Sequence, residues 1–91
     1  MGWGAALKLR SVLDNLRHIL AVELMSAARA QDLRRPLKAA PATGAVRDLL
    51  RKQVPGVGPD RFLAPELAAA EQLIRSGAVV GAAESVTGAL A

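Results

Sequence analysis

One histidine, one isolated glutamate in an apolar run and a few hydroxyls are the side chains of this 91-residue sequence from which chemistry could be built. A catalytic histidine needs a partner that fixes its tautomer and orientation. His18 follows Arg17 within a helical pattern, and spacing identifies no partner for it, so it reads as a packing or surface histidine. Glu23 is the one charge inside the stretch Ile19–Ala28. A carboxylate in apolar surroundings is costly unless paired, and Glu23 is expected to meet an arginine from a neighbouring helix or subunit. Ser85 and Thr87 have no base or third triad member near them in sequence, which leaves nucleophilic catalysis without support. Asp60-Arg61 reads as a turn with a local ion pair of small energetic weight. There is no cysteine and only one histidine, so disulfides, thiolate metal sites and histidine metal clusters are excluded. No position is assigned a catalytic, cofactor-binding or metal-ligating role.

The sharpest short motif is Val54-Pro55-Gly56-Val57-Gly58-Pro59. It resembles the hairpin of helix-hairpin-helix DNA-binding modules, whose Gly-x-Gly turn offers backbone N–H groups to phosphate. On that reading, residues 54–61 of a small basic module would contact DNA. Pro65 speaks against it, because it falls where the module's second helix should be continuous. Phe62-Leu63 also stands where small and basic residues are expected. A plain turn between helices is the preferred reading.

These residues need elements to hold them, and the elements are helices. The chain is rich in Ala and Leu, with one Trp, one Phe and no Tyr, and Ala and Leu favour helix. The fold class is all-α, in a single segment spanning residues 1–91. The longest element is expected over residues 4–33, which hold no proline and no internal glycine. At ~1.5 Å per residue, such a helix is a rod of about 45 Å. A compact domain of this length has a radius of gyration of only about 12 Å. Leu9, Leu13, Leu16, Leu20, Leu24 and Ala27 form its best apolar stripe. Residues 4–17 are amphipathic and suited to cover the chain's own smaller helices. Ile19–Ala28 is apolar nearly all round and expects surrounding helices that the chain does not encode.

Arg34-Arg35-Pro36 ends this helix, the two arginines falling in its last turn. A second helix is expected over residues 43–53, with Thr43 as N-cap. Val46, Leu49 and Leu50 form its apolar face; Arg47, Arg51 and Lys52 form its solvent face. A third is expected over residues 65–76, with Pro65 in the first turn and Gly77 as C-terminal cap. Its inward residues are Leu67, Ala70, Leu73 and Ile74. A short fourth helix is expected over residues 78–85, followed by a tail at 86–91.

The net charge of +4 is uneven. Residues 1–52 carry +6 and residues 53–91 carry −2. A basic half can serve an anionic partner, but these basic residues are dispersed along helices beside acids, as on solvated or intersubunit faces. A nucleic-acid partner is therefore not expected. Met1-Gly-Trp-Gly lacks the basic and apolar regions of a signal peptide. The apolar stretch is too short for a membrane span. A cytoplasmic location is expected.

Taken in order, the segments carry a resemblance. Leu13-Asp14-Asn15-Leu16-Arg17-His18-Ile19-Leu20-Ala21-Val22-Glu23-Leu24, continuing through Ala27 to Arg34, is similar to the long core helix near the C-terminus of histidine ammonia-lyase, of the aromatic amino acid ammonia-lyase family. Asp60-Arg61-Phe62-Leu63-Ala64-Pro65-Glu66-Leu67 and Leu73-Ile74-Arg75-Ser76-Gly77 resemble the C-terminal end of the same enzymes. The resemblance implies a cytoplasmic homotetramer built on a bundle of long helices, converting L-histidine to trans-urocanate and ammonia. It implies a methylidene-imidazolone electrophile formed from an internal Ala-Ser-Gly, assisted by a tyrosine, an arginine and a glutamate.

The chain departs from that pattern. It contains no Ala-Ser-Gly, the nearest string being Arg75-Ser76-Gly77, and no tyrosine. The family's glutamate-bearing stretch ends where Met1-Gly2 begins, so Met1 reads as an internal methionine of a longer enzyme. No catalytic residue of the family maps onto this sequence. The expected role is structural, with the remainder of a lyase subunit, or a second copy met through the long helix, as partner.

Overall fold

The computed structural model describes residues 2–56, 58 and 61–90. Within them the chain forms four helices and no strand: α1 (Gly2–Leu33), α2 (Pro41–Arg51), α3 (Ala64–Arg75) and α4 (Ala78–Thr87). The all-α expectation holds, and so does the disproportion of the first helix. Its 32 residues make a rod of about 48 Å. The molecule measures 54 × 36 × 17 Å with a radius of gyration of 15.1 Å, well above the ~12 Å of a compact chain of this size.

Local chemistry explains the ends of the elements and where they depart from expectation. α1 begins at Gly2, two residues before the expected start, and ends at Leu33. Arg34 and Arg35 therefore lie just beyond the helix, where their backbone N–H groups donate to the carbonyls of Gln31 and Asp32. α2 starts at Pro41, two residues before the expected start, with Ala40 at the cap position and no side-chain cap. Proline suits a first turn because it has no N–H to leave unpaired, and Thr43 lies inside the helix rather than capping it. α3 carries Pro65 and Glu66 in its first turn. Gly77 adopts φ of +82° and Gly88 φ of +81°, the left-handed conformation that favours glycine. Gly77 closes α3 by donating to the Ile74 carbonyl and opens α4 by accepting from Gly81 N–H. α4 runs two residues past its expected end, so Val86 and Thr87 are helical.

α3 packs against both α1 and α4, and α4 packs against α2. The core between them is small: Ala21 and Ala28 from α1, Leu50 from α2, Val54 just after it, and Ala70 and Leu73 from α3. Leu24, Met25, Leu49, Ala69, Ile74, Ala78 and Val79 pack around it. Of the inward residues expected, Leu49 and Leu50 of α2 and Ala70, Leu73 and Ile74 of α3 belong to this core, while Val46 and Leu67 are only partly buried and lie outside it.

The expected division of α1 is reversed. Residues 2–13 are exposed throughout, so the leucine stripe does not cover the small helices. The inward face is set instead by Ala21 and Ala28, whose small side chains let α3 approach closely. Leu9, Leu13, Leu16 and Leu20 remain exposed. Ile19–Ala28, expected to await foreign helices on all sides, contacts the chain's own helices along one side.

Candidate functional site

Two polar clusters are built at the junctions between helices. The first joins the middle of α1 to α3. His18 Nδ1 lies 2.7 Å from Glu71 Oε2, so the histidine does have a partner, one that its own neighbourhood in sequence could not reveal. Glu71 also faces Arg75 at 3.7 Å. Arg75 reaches across to Asp14 at 3.3 Å, and Asp14 accepts from Arg17 at the same distance. Five charged or titratable groups on two helices thus form one chain of contacts at the edge of the α1–α3 interface.

The histidine–carboxylate pair is half of a nucleophile-activating set. The hydroxyls of Ser76, Ser85 and Thr87 are committed elsewhere. Ser76 donates to the Leu73 carbonyl at 3.1 Å, Ser85 to that of Ala82 at 2.6 Å, and Thr87 to that of Ala83 at 3.3 Å. The cluster is a latch between helices.

The second cluster joins the C-terminal ends of α1 and α2. Asp32 is largely buried and accepts from Arg51 through Nε at 3.1 Å and through Nη2. Arg51 Nη1 donates onward to the carbonyls of Val54 and Pro55, both at 3.3 Å. Arg61 grips the same turn from the other side, donating through Nη2 to Pro55 and Gly56 at 3.0 and 3.1 Å. Its Nε meets both carboxylate oxygens of Glu66. Asp60, its expected partner, lies outside the described residues; Arg61 is engaged by Glu66. Arg51, expected on a solvent face, is a half-buried structural residue.

These groups wall an open cleft of about 170 Å³ with Met25, Ser26, Arg29 and Leu63. Most of the guanidinium donors of Arg51 and Arg61 serve the chain's own carbonyls and carboxylates. That commitment, with Pro65 in the first turn of a helix that begins only at Ala64, gives the DNA-binding reading of residues 54–61 no structural footing. Val57, Pro59 and Asp60 of that motif lie outside the described residues.

Glu23 is exposed and forms no ion pair among the described residues. The arginine expected opposite it is not supplied by this chain's described part. Among the described residues no three His, Asp or Glu side chains converge on a metal-binding geometry, and no helix is long and apolar enough to cross a membrane. Sequence spacing missed Glu71, Asp32 and Val54. Each acts with residues of another element, and the two acids leave local traces as well, Asp32 as an i,i+3 pair with Arg35 at 3.5 Å and Glu71 as an i,i+4 pair with Arg75 at 3.7 Å.

An all-helical chain whose polar clusters fasten helices together, and whose longest helix leaves its apolar residues in solvent, has the character of a portion of a larger helical protein. Comparison with known proteins agrees. Residues 1–52 match the family model for aromatic amino acid lyases. The chain belongs to that family. Along its whole length it is 58% identical to a histidine ammonia-lyase of Streptomyces avermitilis, covering 100% of this chain and 18% of that protein. It is 56% identical to a histidine ammonia-lyase of Streptomyces coelicolor, covering 99% of this chain and 18% of that protein. A histidine ammonia-lyase of Streptomyces griseus is 55% identical, again with 18% of its length covered. The chain therefore spans about a fifth of the length of these relatives. No solved structure matches it.

Proposed function

We propose that this chain is the C-terminal helical segment of a histidine ammonia-lyase subunit, and that its contribution to the removal of ammonia from histidine is structural. It supplies α1 to a bundle of long helices and packs α2–α4 against the end of that bundle. The holoenzyme of which it is part is a cytoplasmic homotetramer.

The observation that carries this reading is the uncovered apolar length of α1 beside 55–58% identity to histidine ammonia-lyases along the chain. The solvent-accessible surface, 6569 Å², supports it. A compact monomer of 9.5 kDa exposes about 5000 Å². The surplus of roughly 1500 Å² exceeds the ~800 Å² each partner contributes to an interface of standard size.

The family's electrophile is made from Ala-Ser-Gly. The one Ser-Gly pair preceded by a helix end here is Ser76-Gly77, which follows arginine and shapes the α3–α4 junction with its hydroxyl on the Leu73 carbonyl. These residues do not fit the precursor, and no step of the elimination is assigned to this chain. The electrophile and the base belong to the remainder of the subunit.

A chimera provides the test. The matched region of the Streptomyces avermitilis enzyme is replaced by this chain, and urocanate formation from L-histidine is followed by ultraviolet absorbance. The chimera is expected to turn over, while the purified chain alone does not. Sustained turnover by the chain alone, or a chimera without activity, overturns the reading.

A further inference from the structure

The open cleft between the C-terminal half of α1 and the turn after α2 has an unbalanced lining. The guanidiniums of Arg29, Arg51 and Arg61 line it, with Ser26 beside them, and no Asp or Glu is among its described lining residues. The carbonyls at its edge, those of Val54, Pro55 and Gly56, already accept from Arg51 and Arg61. The polar wall therefore offers donors and positive charge, with its acceptors occupied.

Not all of those donors are spent. Arg61 is clamped, its Nε by Glu66 and its Nη2 by two carbonyls. A planar guanidinium fixed through two of its nitrogens has the third fixed as well. That third nitrogen, Nη1, has no acceptor among the described residues, and the side chain is only 34% exposed. On the α1 side, Arg29 makes no ion pair or hydrogen bond among the described residues. Ser26 precedes Arg29 by three residues and so shares its face of the helix. Its hydroxyl is likewise uncommitted among the described residues.

The rest of the lining is apolar, chiefly Met25, Val54 and Leu63. A guanidinium edge matches a carboxylate in both charge and geometry, whereas inorganic phosphate would leave the apolar wall uncovered. The cleft, about 170 Å³, is smaller than the ~300–1,000 Å³ that takes a drug-sized ligand. It suits a carboxylate carried on one small ring or short chain, and is too small for a nucleotide.

We propose that this cleft binds a small organic monocarboxylate. Arg29 and the unspent edge of Arg61 hold the carboxylate, Ser26 donates to it, and the apolar body lies against Met25, Val54 and Leu63. This inference goes beyond the lyase reading and does not depend on it.

The test titrates benzoate into the purified chain and follows the amide signals by NMR. Saturable shifts are expected at Ser26, Arg29, Gly56, Arg61 and Leu63. Benzamide, which has the ring without the charge, should bind at least about tenfold more weakly, the weight of charge-assisted hydrogen bonds. Acetate and inorganic phosphate, which lack the apolar body, should also bind more weakly than benzoate. R29Q, at an exposed position, should weaken benzoate at least about tenfold with the helical content unchanged. R10Q, an exposed cation two-thirds of the helix away, should leave binding as it is. Arg61 holds the turn and is left in place, its own Nε–H signal reporting contact. The site is overturned by absence of saturable binding, by unchanged affinity in R29Q, by benzamide matching benzoate, or by shifts spread over the chain's other cations. Phosphate binding as tightly as benzoate overturns the ligand class. In the assembled chimera, calorimetry should show the same R29Q-sensitive binding. Its loss there means that the remainder of the subunit fills the cleft, and overturns a site for a free ligand. A chimera that does not assemble counts against the lyase reading, and the titration of the chain itself then decides the cleft.

Discussion

Asp32 ties the end of α1 to the end of α2. It is the acceptor through which Arg51 is fixed, and Arg51 in turn holds the turn at Val54 and Pro55. Removing the carboxylate leaves a half-buried guanidinium without its counter-charge, and hydrogen bonds to charged groups are worth about 1.5–3 kcal/mol. Asp32→Ala is expected to destabilise the chain by about 2–3 kcal/mol in urea unfolding followed by circular dichroism. Little change would show that the pair is solvated and weak. Gly77 offers a cleaner case. Nothing lies within 4 Å of where a Cβ would be built, so the cost of Gly77→Ala comes from the backbone alone, at φ of +82°. A loss of about 1–2 kcal/mol is expected, and an unchanged melting curve would mean that the α3–α4 junction relaxes into another turn. Neither residue's weight could be measured from sequence in the same way. Gly77 announces itself at the end of an apolar helix, whereas Asp32 and Arg51 are nineteen residues apart on different helices.

At the scale of elements, helix positions were legible and helix faces only partly so. Pro65, Gly77 and the alternation of apolar residues located α3, and Ala70, Leu73 and Ile74 face inward as expected, although Leu67 does not join the core. The start of α2 was misplaced because Thr43 offers a better cap than Ala40, yet Pro41 in the first turn decided the boundary. The inward face of α1 departs from expectation for a related reason. Leucines outweigh alanines on any hydrophobic scale, but α3 packs where side chains are small, on Ala21 and Ala28. Leu9, Leu13, Leu16 and Leu20 remain exposed. Substitution should separate the two roles. Leu50→Ala removes a wholly buried side chain and should cost about 2–5 kcal/mol. Leu9→Ala on the exposed stripe of α1 should change the isolated chain's stability by no more than about 0.5 kcal/mol. Comparable losses in the two variants would mean that the stripe is covered even in the isolated chain.

For the molecule as a whole, the disproportion between α1 and the rest was visible in sequence length alone, but the site was not. The clusters at His18–Glu71 and Asp32–Arg51 join helices distant in sequence, and their chemistry is that of fasteners. The first twelve described residues of α1 touch none of the chain's other elements closely enough to be covered. A helix without packing partners is held only by its own backbone bonds, and short isolated helices are marginal in water. Amide hydrogens of residues 2–13 should therefore exchange with deuterium far faster in the isolated chain than those of residues 18–30. In the chimera the two regions should exchange at comparable, slow rates, and uniform protection in the isolated chain would contradict this. The front of the long helix would then serve as a built-in reporter of assembly: a stretch of backbone whose protection from solvent records whether the subunit around it is complete.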